Sequence, residues 1–422
     1  MRHRIRSLLS ITAVAVAATV PAGAEPFPEA RSAIDLGERP RLLVESMPAS
    51  ALRDTLAACD SRTASSTRFS IAHRGAPLGY PEHTREGYVA AARQGAGLIE
   101  CDVTFTRDAR LVCRHAQCDL HKTTDILTGP LADRCVMPFR PAEIAPDGTL
   151  LRPASARCCT SDLSLDEFLS LTGKRDGFEP RARTPAEFVT APPRGVGTTG
   201  TDAGQLLSHR QSIQLIKALG AGFVPELKMP DEKIGFADSG LEADSYARMI
   251  VSDYRAEGIP PEDVRLQSFD PAAVRYWLDR EPEFGAGAVL LDGRYSIDGF
   301  DHRDPATWSP DMEELRALGV RTLAPPMWML LTVADGRIAP SRYARAARAA
   351  GLELLTWTLE RPGSLSGGGG WYYQTIADAI RDEGDVFTAL NVLAREVGVR
   401  GVFTDWPATV TFYENCTTPV AP

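Results

Sequence analysis

Three short stretches of the 422-residue chain carry charged side chains at spacings that suit chemistry: His73-Arg74-Gly75, Glu100-Cys101-Asp102 and Glu226-Leu227-Lys228. Side chains alternate along a β-strand, so Glu100 and Asp102 would share one face with Cys101 on the other, and Glu226 would share a face with Lys228. Each pair alone has an ordinary explanation, a solvated strand face or a same-face ion pair. Their joint occurrence, each at the end of an apolar run, does not. Carboxylates gathered at a barrel interior are costly unless compensated, and a divalent cation with oxygen ligands is the economical compensation. Three carboxylates suit calcium or magnesium better than zinc. The stretch "VTFTRDARLVCRH" after Asp102 reads as a hairpin with "RDAR" as its turn, and its returning arm would deliver His115 to the same end as Glu100. The result is two histidines, two basic groups and three carboxylates around one mouth.

A site assembled from separated strand ends requires a scaffold that brings those ends together. From Phe69 onward, short apolar runs alternate with helix-like stretches: "FSIA", "GLIECDV", "GFVPELK", "VRLQSF", "GAVLLD", "VRTLAP", "LELLTWT" and "VRGVFTD". Eight strands separated by helices predict an α/β fold, a (β/α)8 TIM barrel, rather than an open doubly wound sheet. "HTREGYVAAARQGAG", "QSIQLIKALGAG" and "SYARMIVSDYRAEGIPPED" read as helices that stop at glycine. Residues 68–415 form the barrel domain on this reading. Residues 116–204 are too long for a strand-to-helix loop and predict a cysteine-containing insertion after the second strand. Residues 25–67 predict an N-terminal arm with one short helix, packed on the outside. "GSLSGGGGWYYQ", residues 363–374, suggests a mobile lid carrying Trp371.

The first residues combine Arg2, Arg4 and Arg6, an apolar run too short to anchor in a bilayer, and Ala22-Gly23-Ala24. That order predicts a cleavable signal peptide over residues 1–24 and a periplasmic or secreted protein. Its removal takes the formal net charge from −9 to −12, so nucleic acid and anionic lipid are excluded as partners and stable membrane insertion is not expected. All eight cysteines follow residue 24, and export favours disulfides among them. Vicinal Cys158 and Cys159 are expected to take different partners among Cys113, Cys118 and Cys135, stapling the insertion and leaving the catalytic strands unlinked. No C-x-x-C pair supports zinc.

The segments "AHRGAPLGYPEHT", "IECDVTFTRDARLVCRH", "PELK", "LQSF", "TWT" and "GVRGVFTDWP", in this order from about Phe69 to Pro407, resemble the glycerophosphodiester phosphodiesterases, in particular the exported bacterial type. The resemblance implies a metal-dependent hydrolase that converts a small-molecule glycerophosphodiester to sn-glycerol 3-phosphate and an alcohol, using one divalent ion, Ca2+ or Mg2+. It places the catalytic pair on His73 and His115 and the metal carboxylates on Glu100, Asp102 and Glu226. Phosphate contacts fall on Arg74 and Lys228. Glu82 falls behind them, and Trp357 on the glycerol side. A phosphodiester carries one negative charge and a poor leaving group, which calls for charge neutralisation and proton transfer on both sides. This sequence departs from the family in having Ala116 after His115 where aspartate is common, with a further histidine at His121. Two other functions share parts of the pattern: a phosphatidylinositol-specific or sphingomyelinase-D-like phospholipase, and a catalytically dead barrel acting as a binding protein.

Overall fold

The computed structural model describes residues 33–60, 63–190, 195–236, 239–361 and 364–418. The expected signal peptide and the first residues of the arm lie outside the described residues. Eight parallel strands close on themselves: β1 (Thr67–Ala72), β2 (Ala96–Phe105), β4 (Gly222–Leu227), β5 (Gln267–Ser268), β6 (Val289–Leu291), β7 (Thr322–Ala324), β8 (Glu353–Leu359) and β9 (Gly401–Thr404). Each pairs with the next, and β9 returns to pair with β1. The fold is the TIM barrel that the eight apolar runs predicted. Strand β3 (Leu111–Cys113) runs antiparallel against the end of β2, with Val103 opposite Cys113, so the expected hairpin is present.

The arm carries two short helices, α1 (Arg39–Ser46) and α2 (Ala51–Ala57), rather than one. Helices α3 (Arg85–Arg93), α4 (His209–Ala218) and α5 (Ala243–Ala256) occupy the three stretches read as helical. The side chain of Thr84 caps α3, and a Ser208/Gln211 capping box starts α4. Beyond them follow α6 (Pro271–Arg280), α7 (Met312–Ala317), α8 (Arg342–Ala349), α9 (Asp385–Asn391) and α10 (Pro407–Thr417). Most of the core lies between the strands and these helices. Inside the barrel, Ile71, Leu98, Val224, Leu355 and Phe403 form a small apolar plug on which the charged mouth rests.

Residues between β3 and α4 hold a core of their own, built on Leu120, Ile126, Leu163, Phe168 and Phe188. Three short antiparallel strand pairs frame it. Disulfides Cys118–Cys159 and Cys135–Cys158 staple it, so the vicinal cysteines take different partners. The expectation that disulfides spare the catalytic strands is corrected. Cys101 of β2 is bonded to Cys113 of β3 at a Cα separation of 5.4 Å, because Cys113 pairs opposite Val103, which shares with Cys101 the face of β2 turned away from the acids. Cys59 after α2 is bonded to Cys416 in α10, fastening the arm to the far end of the chain.

Candidate active site

The carboxyl ends of β1, β2, β4 and β8 and the loops that follow bring the sequence-selected residues to one cavity of about 560 Å³, lined by His73, Arg74, Glu82, Glu100, His115, Glu226, Lys228 and Trp357; Asp102 does not line it but clusters with Glu100 and Glu226. In the β2–β4 register Glu226 stands level with Asp102 and Val224 with Glu100. Glu100, Asp102 and Glu226 each offer one oxygen, all within 4.8 Å of one another, and all three side chains are buried. Glu100 Oε1 accepts a bond from Gln267 Nε2 at 2.8 Å, and its Oε2 accepts the Arg74 backbone N–H at 2.9 Å. Asp102 Oδ2 is held by His83 Nε2 at 2.9 Å, whereas its Oδ1 is buried with no hydrogen-bond partner among the described residues. Burial, then Asp102 and Glu226, push the Glu100 carboxyl well above the carboxylate range. Burial also lifts Glu226 to about 8, against the pull of Lys228 at 2.7 Å. Asp102 falls well below its usual value: Lys228 and His83 outweigh its desolvation. An orphaned oxygen on Asp102, beside two buried carboxyls, Glu100 and Glu226, whose ionisation is held back, fits a hard divalent cation with oxygen ligands.

The basic groups surround that cradle. Arg74 adopts a left-handed backbone, φ +59°, and Gly75 follows at φ +103°, where an added Cβ would meet the Gly87 carbonyl carbon at 3.0 Å. This turn aims the Arg74 amide at Glu100 and its guanidinium at Glu82, Nη1 to Oε2 3.1 Å. Glu82 is buried, yet Arg74 and Arg361 hold its carboxyl far below the ordinary range. Arg114, wholly buried, donates to the Glu82 carbonyl, and its own N–H bonds the Asp102 carbonyl at 2.8 Å. The hairpin end that carries His115 is thereby tied to the loop that carries Glu82.

The two histidines sit differently. His73 Nδ1 lies 2.6 Å from Asp405 Oδ1, just beyond β9. Asp405, although buried, is kept below its usual pKa by Arg361 and His73, so it is an acceptor and the Nδ1 proton belongs to the ring. Nε2 then carries the lone pair. Burial and the neighbouring Arg74 lower His73 to about 4. His115 is half-buried on the cavity wall, and burial with the Arg74 and Lys228 charges depresses it well below 6.5. Ala116, the departure from the family pattern, gives its N–H to Asp119 Oδ2 at 3.0 Å, so a carboxylate three residues later caps this turn. His121 does not line the catalytic cavity; it stacks on Phe188 with ring centroids 6.3 Å apart.

The lining includes an aromatic group of residues and a polar group from the insertion. Trp357, Phe269, Tyr295 and Tyr372 form the first, and Trp371 stacks behind Trp357 at 5.9 Å. The segment read as a lid therefore places its tryptophan against this group. Asp119, Lys122, Thr123 and Asp176 from the insertion form the second, with Arg361 bridging Asp176 and Asp405. Lys174 Nζ binds the carbonyls of Lys122, Arg175 and Gly177, fixing the loops that present Lys122 and Asp176. Asp405, Arg361, Gln267 and His83 in its contact with Asp102 escaped the sequence reading. The terminal "TD" of the eighth apolar run, at the same strand end as the other charged groups, was the signal available for Asp405.

A closed parallel barrel with an acidic cradle, flanking cations and two histidines defines a phosphate-handling hydrolase of the TIM-barrel class. Residues 73–409 match the glycerophosphoryl diester phosphodiesterase family, and the chain belongs to it; it is an enzyme that hydrolyses glycerophosphodiesters. Its relatives include an "Extracellular protein" of Arthroderma benhamiae, 40% identical over 57% of this chain and 98% of that one. A Mycobacterium tuberculosis protein named "Probable glycerophosphodiester phosphodiesterase 1" is 38% identical over 24% of this chain and 37% of its own length. A solved structure from Silicibacter pomeroyi with the same family description superposes with a TM-score of 0.51 at 16% identity, covering 82% of this chain and 92% of that one, a likeness of fold.

Proposed function

We propose that the enzyme cleaves glycerophosphodiesters to sn-glycerol 3-phosphate and an alcohol with His73 as general base and His115 as general acid. The observation that carries this reading is the single cavity in which the Glu100–Asp102–Glu226 cradle, Arg74, Lys228 and both imidazoles converge. A calcium or magnesium ion held by those three carboxylates would supply charge neutralisation at the phosphoryl oxygens. Arg74 and Lys228 bind the same anionic group and orient it. His73, neutral and presenting Nε2, accepts the proton of the attacking hydroxyl. Arg74 and Lys228 are also the charges that suppress protonation of His115, so an entering phosphodiester anion offsets them and lets His115 take up the proton it then donates to the leaving oxygen. Trp357 and its aromatic neighbours accept the glycerol moiety, and the polar residues of the insertion face the departing alcohol. Glu82 holds Arg74 in place, and Asp405 holds His73.

The four disulfides and the extracellular relative support a secreted or periplasmic setting. Residues 1–24 as signal peptide and residues 116–204 as an insertion within a 68–415 barrel complete the proposal. Product analysis with glycerophosphocholine, glycerophosphoethanolamine and glycerophosphoinositol, each in calcium, magnesium or chelator, tests the reaction. Release of sn-glycerol 3-phosphate with free headgroup alcohol is expected; a phosphorylated headgroup as product would overturn the orientation.

A further inference from the structure

Glu360 ties the N-terminal arm to the catalytic cavity. It is the first residue after β8, its side chain is buried, and its backbone is left-handed at φ +66°, a conformation that a Cβ disfavours. Its Oε1 accepts Arg39 Nε at 2.7 Å and the Thr409 hydroxyl at 2.9 Å, and its Oε2 accepts the Thr404 hydroxyl at 3.1 Å. Arg39 opens α1, Thr404 ends β9 and Thr409 belongs to α10, so three elements fix this one reversal. Arg39 also donates through Nη1 to the Val196 carbonyl of the insertion at 2.6 Å, and the Cys59–Cys416 disulfide fastens the arm to α10. The next residue, Arg361, lines the catalytic cavity. Its Nη1 donates to Asp405 Oδ2 at 3.2 Å, and its Nη2 lies 3.4 Å from Asp176 Oδ2 and 3.8 Å from Glu82 Oε2. Asp405 in turn holds His73, and Glu82 holds Arg74. One guanidinium therefore braces the supports of both.

We propose that Arg39, Glu360 and Arg361 form a relay of positioning residues: the arm locks the reversal at Glu360, and Arg361 then holds Asp405 and Glu82 where they orient His73 and Arg74. The inference rests on His73 as the base proposed above. No described residue of the arm lines the cavity, so the arm acts on catalysis only through this relay. Asp405, Glu82 and Asp176 stand on three separate segments, and a guanidinium among them has more than one pose open to it; the fixed reversal selects the one that reaches Asp405. The end of β8 supports Asp405 by its backbone as well, since the Leu359 carbonyl accepts the Asp405 N–H at 3.1 Å. Burial is the largest influence on the His73 pKa. Of the charges that face it, Arg74 after β1 and Arg361 after β8 lower it further, and Asp405 after β9 raises it. A displaced Arg361 therefore leaves a trace on His73 that a loss of mere bracing does not.

The test is a double-mutant cycle on the full chain: Arg39→Gln, Arg361→Gln and the two combined, with Arg361→Lys as the charge-keeping variant and Arg41→Gln, at an exposed position on α1, as control. Glycerophosphocholine kinetics across pH are read beside NMR titration of the His73 ring, assigned by its loss in His73→Ala. Arg39→Gln is expected to lower kcat by about 10-fold and Arg361→Gln by about 10- to 100-fold. Both should raise the His73 pKa and carry the acidic limb of the rate profile to higher pH, by about one unit in Arg361→Gln, because a positive charge near the imidazolium is displaced or removed. The double variant should match Arg361→Gln alone, since Arg39 acts through Arg361. Arg361→Lys and Arg41→Gln should keep the wild-type limb. If Arg39→Gln does not fold, the isosteric Glu360→Gln takes its place in the cycle. Losses that multiply in the double variant, or an Arg39→Gln protein that is less heat-stable with kcat and the His73 titration unmoved, overturn the proposal and leave the arm a brace. Full turnover by His73→Ala overturns the base proposed above and this relay's catalytic role with it, a result the NMR titration separates from failed coupling.

Discussion

His73 and His115 reach one cavity with different supports: the first is clamped through Nδ1 by Asp405 at 2.6 Å, and the second is carried on the end of a hairpin. Asp405 works through His73, so its replacement has a signature distinct from loss of the ring. Asp405→Asn is expected to lower kcat by about 10- to 100-fold and to move the acidic limb of the rate profile to lower pH, because the carboxylate raises the His73 pKa against its burial. A pH profile that merely scales down without moving would count against this role. His115→Ala should cost about 10² to 10⁴ in rate, whereas His121→Phe should leave turnover unchanged, since His121 faces Phe188 outside the catalytic cavity. Steady-state kinetics on glycerophosphocholine decide between them; inactivation by the His121 change alone would move the acid six residues along.

At the scale of elements, the period-2 alternation of β2 and β4 made Glu100, Asp102 and Glu226 legible, because burial on one strand face is a local property of spacing. Glycine stops made α3, α4 and α5 legible for the same reason. The partners of Asp405 and Arg361 and the pairing of Cys101 with Cys113 were not legible: Asp405 acts on His73 and Arg361 on Glu82 and Asp176, all distant in the chain, and the third depends on the register in which β3 pairs with β2. That disulfide fastens β3 to a strand that bears two of the acids. Replacing Cys101 and Cys113 together by alanine should lower stability by about 3 kcal/mol by releasing a short loop, read by denaturant unfolding. If the double variant also loses turnover in proportion, the staple positions His115 as well as stabilising the hairpin.

Taken as a whole, the molecule combines a closed barrel with an insertion that has its own core, and the two can be probed separately by pH. His121 lies in the insertion, where burial and the nearby Lys122, Arg157 and Lys174 charges lower it from 6.5 to about 4. Its folded pKa lies below the unfolded value, so the unfolded chain binds the extra proton. Its neutral form costs nothing above pH 6.5, and a penalty accumulates as pH falls from 6.5 to about 4. The stability of His121→Phe relative to wild type should therefore rise across that window and stay level above it, as measured by unfolding at a series of pH values; a constant difference would contradict the burial effect. If the three carboxylates at the barrel mouth hold the cation on which hydrolysis depends, titration of calcium or magnesium into chelator-stripped enzyme, following both bound metal and glycerophosphocholine turnover, should show one cation per chain and activity rising in step with occupancy. Both should be lost when Glu100, Asp102 and Glu226 are replaced by alanine. Full turnover by the stripped enzyme, or unchanged metal affinity in the triple variant, would contradict that role.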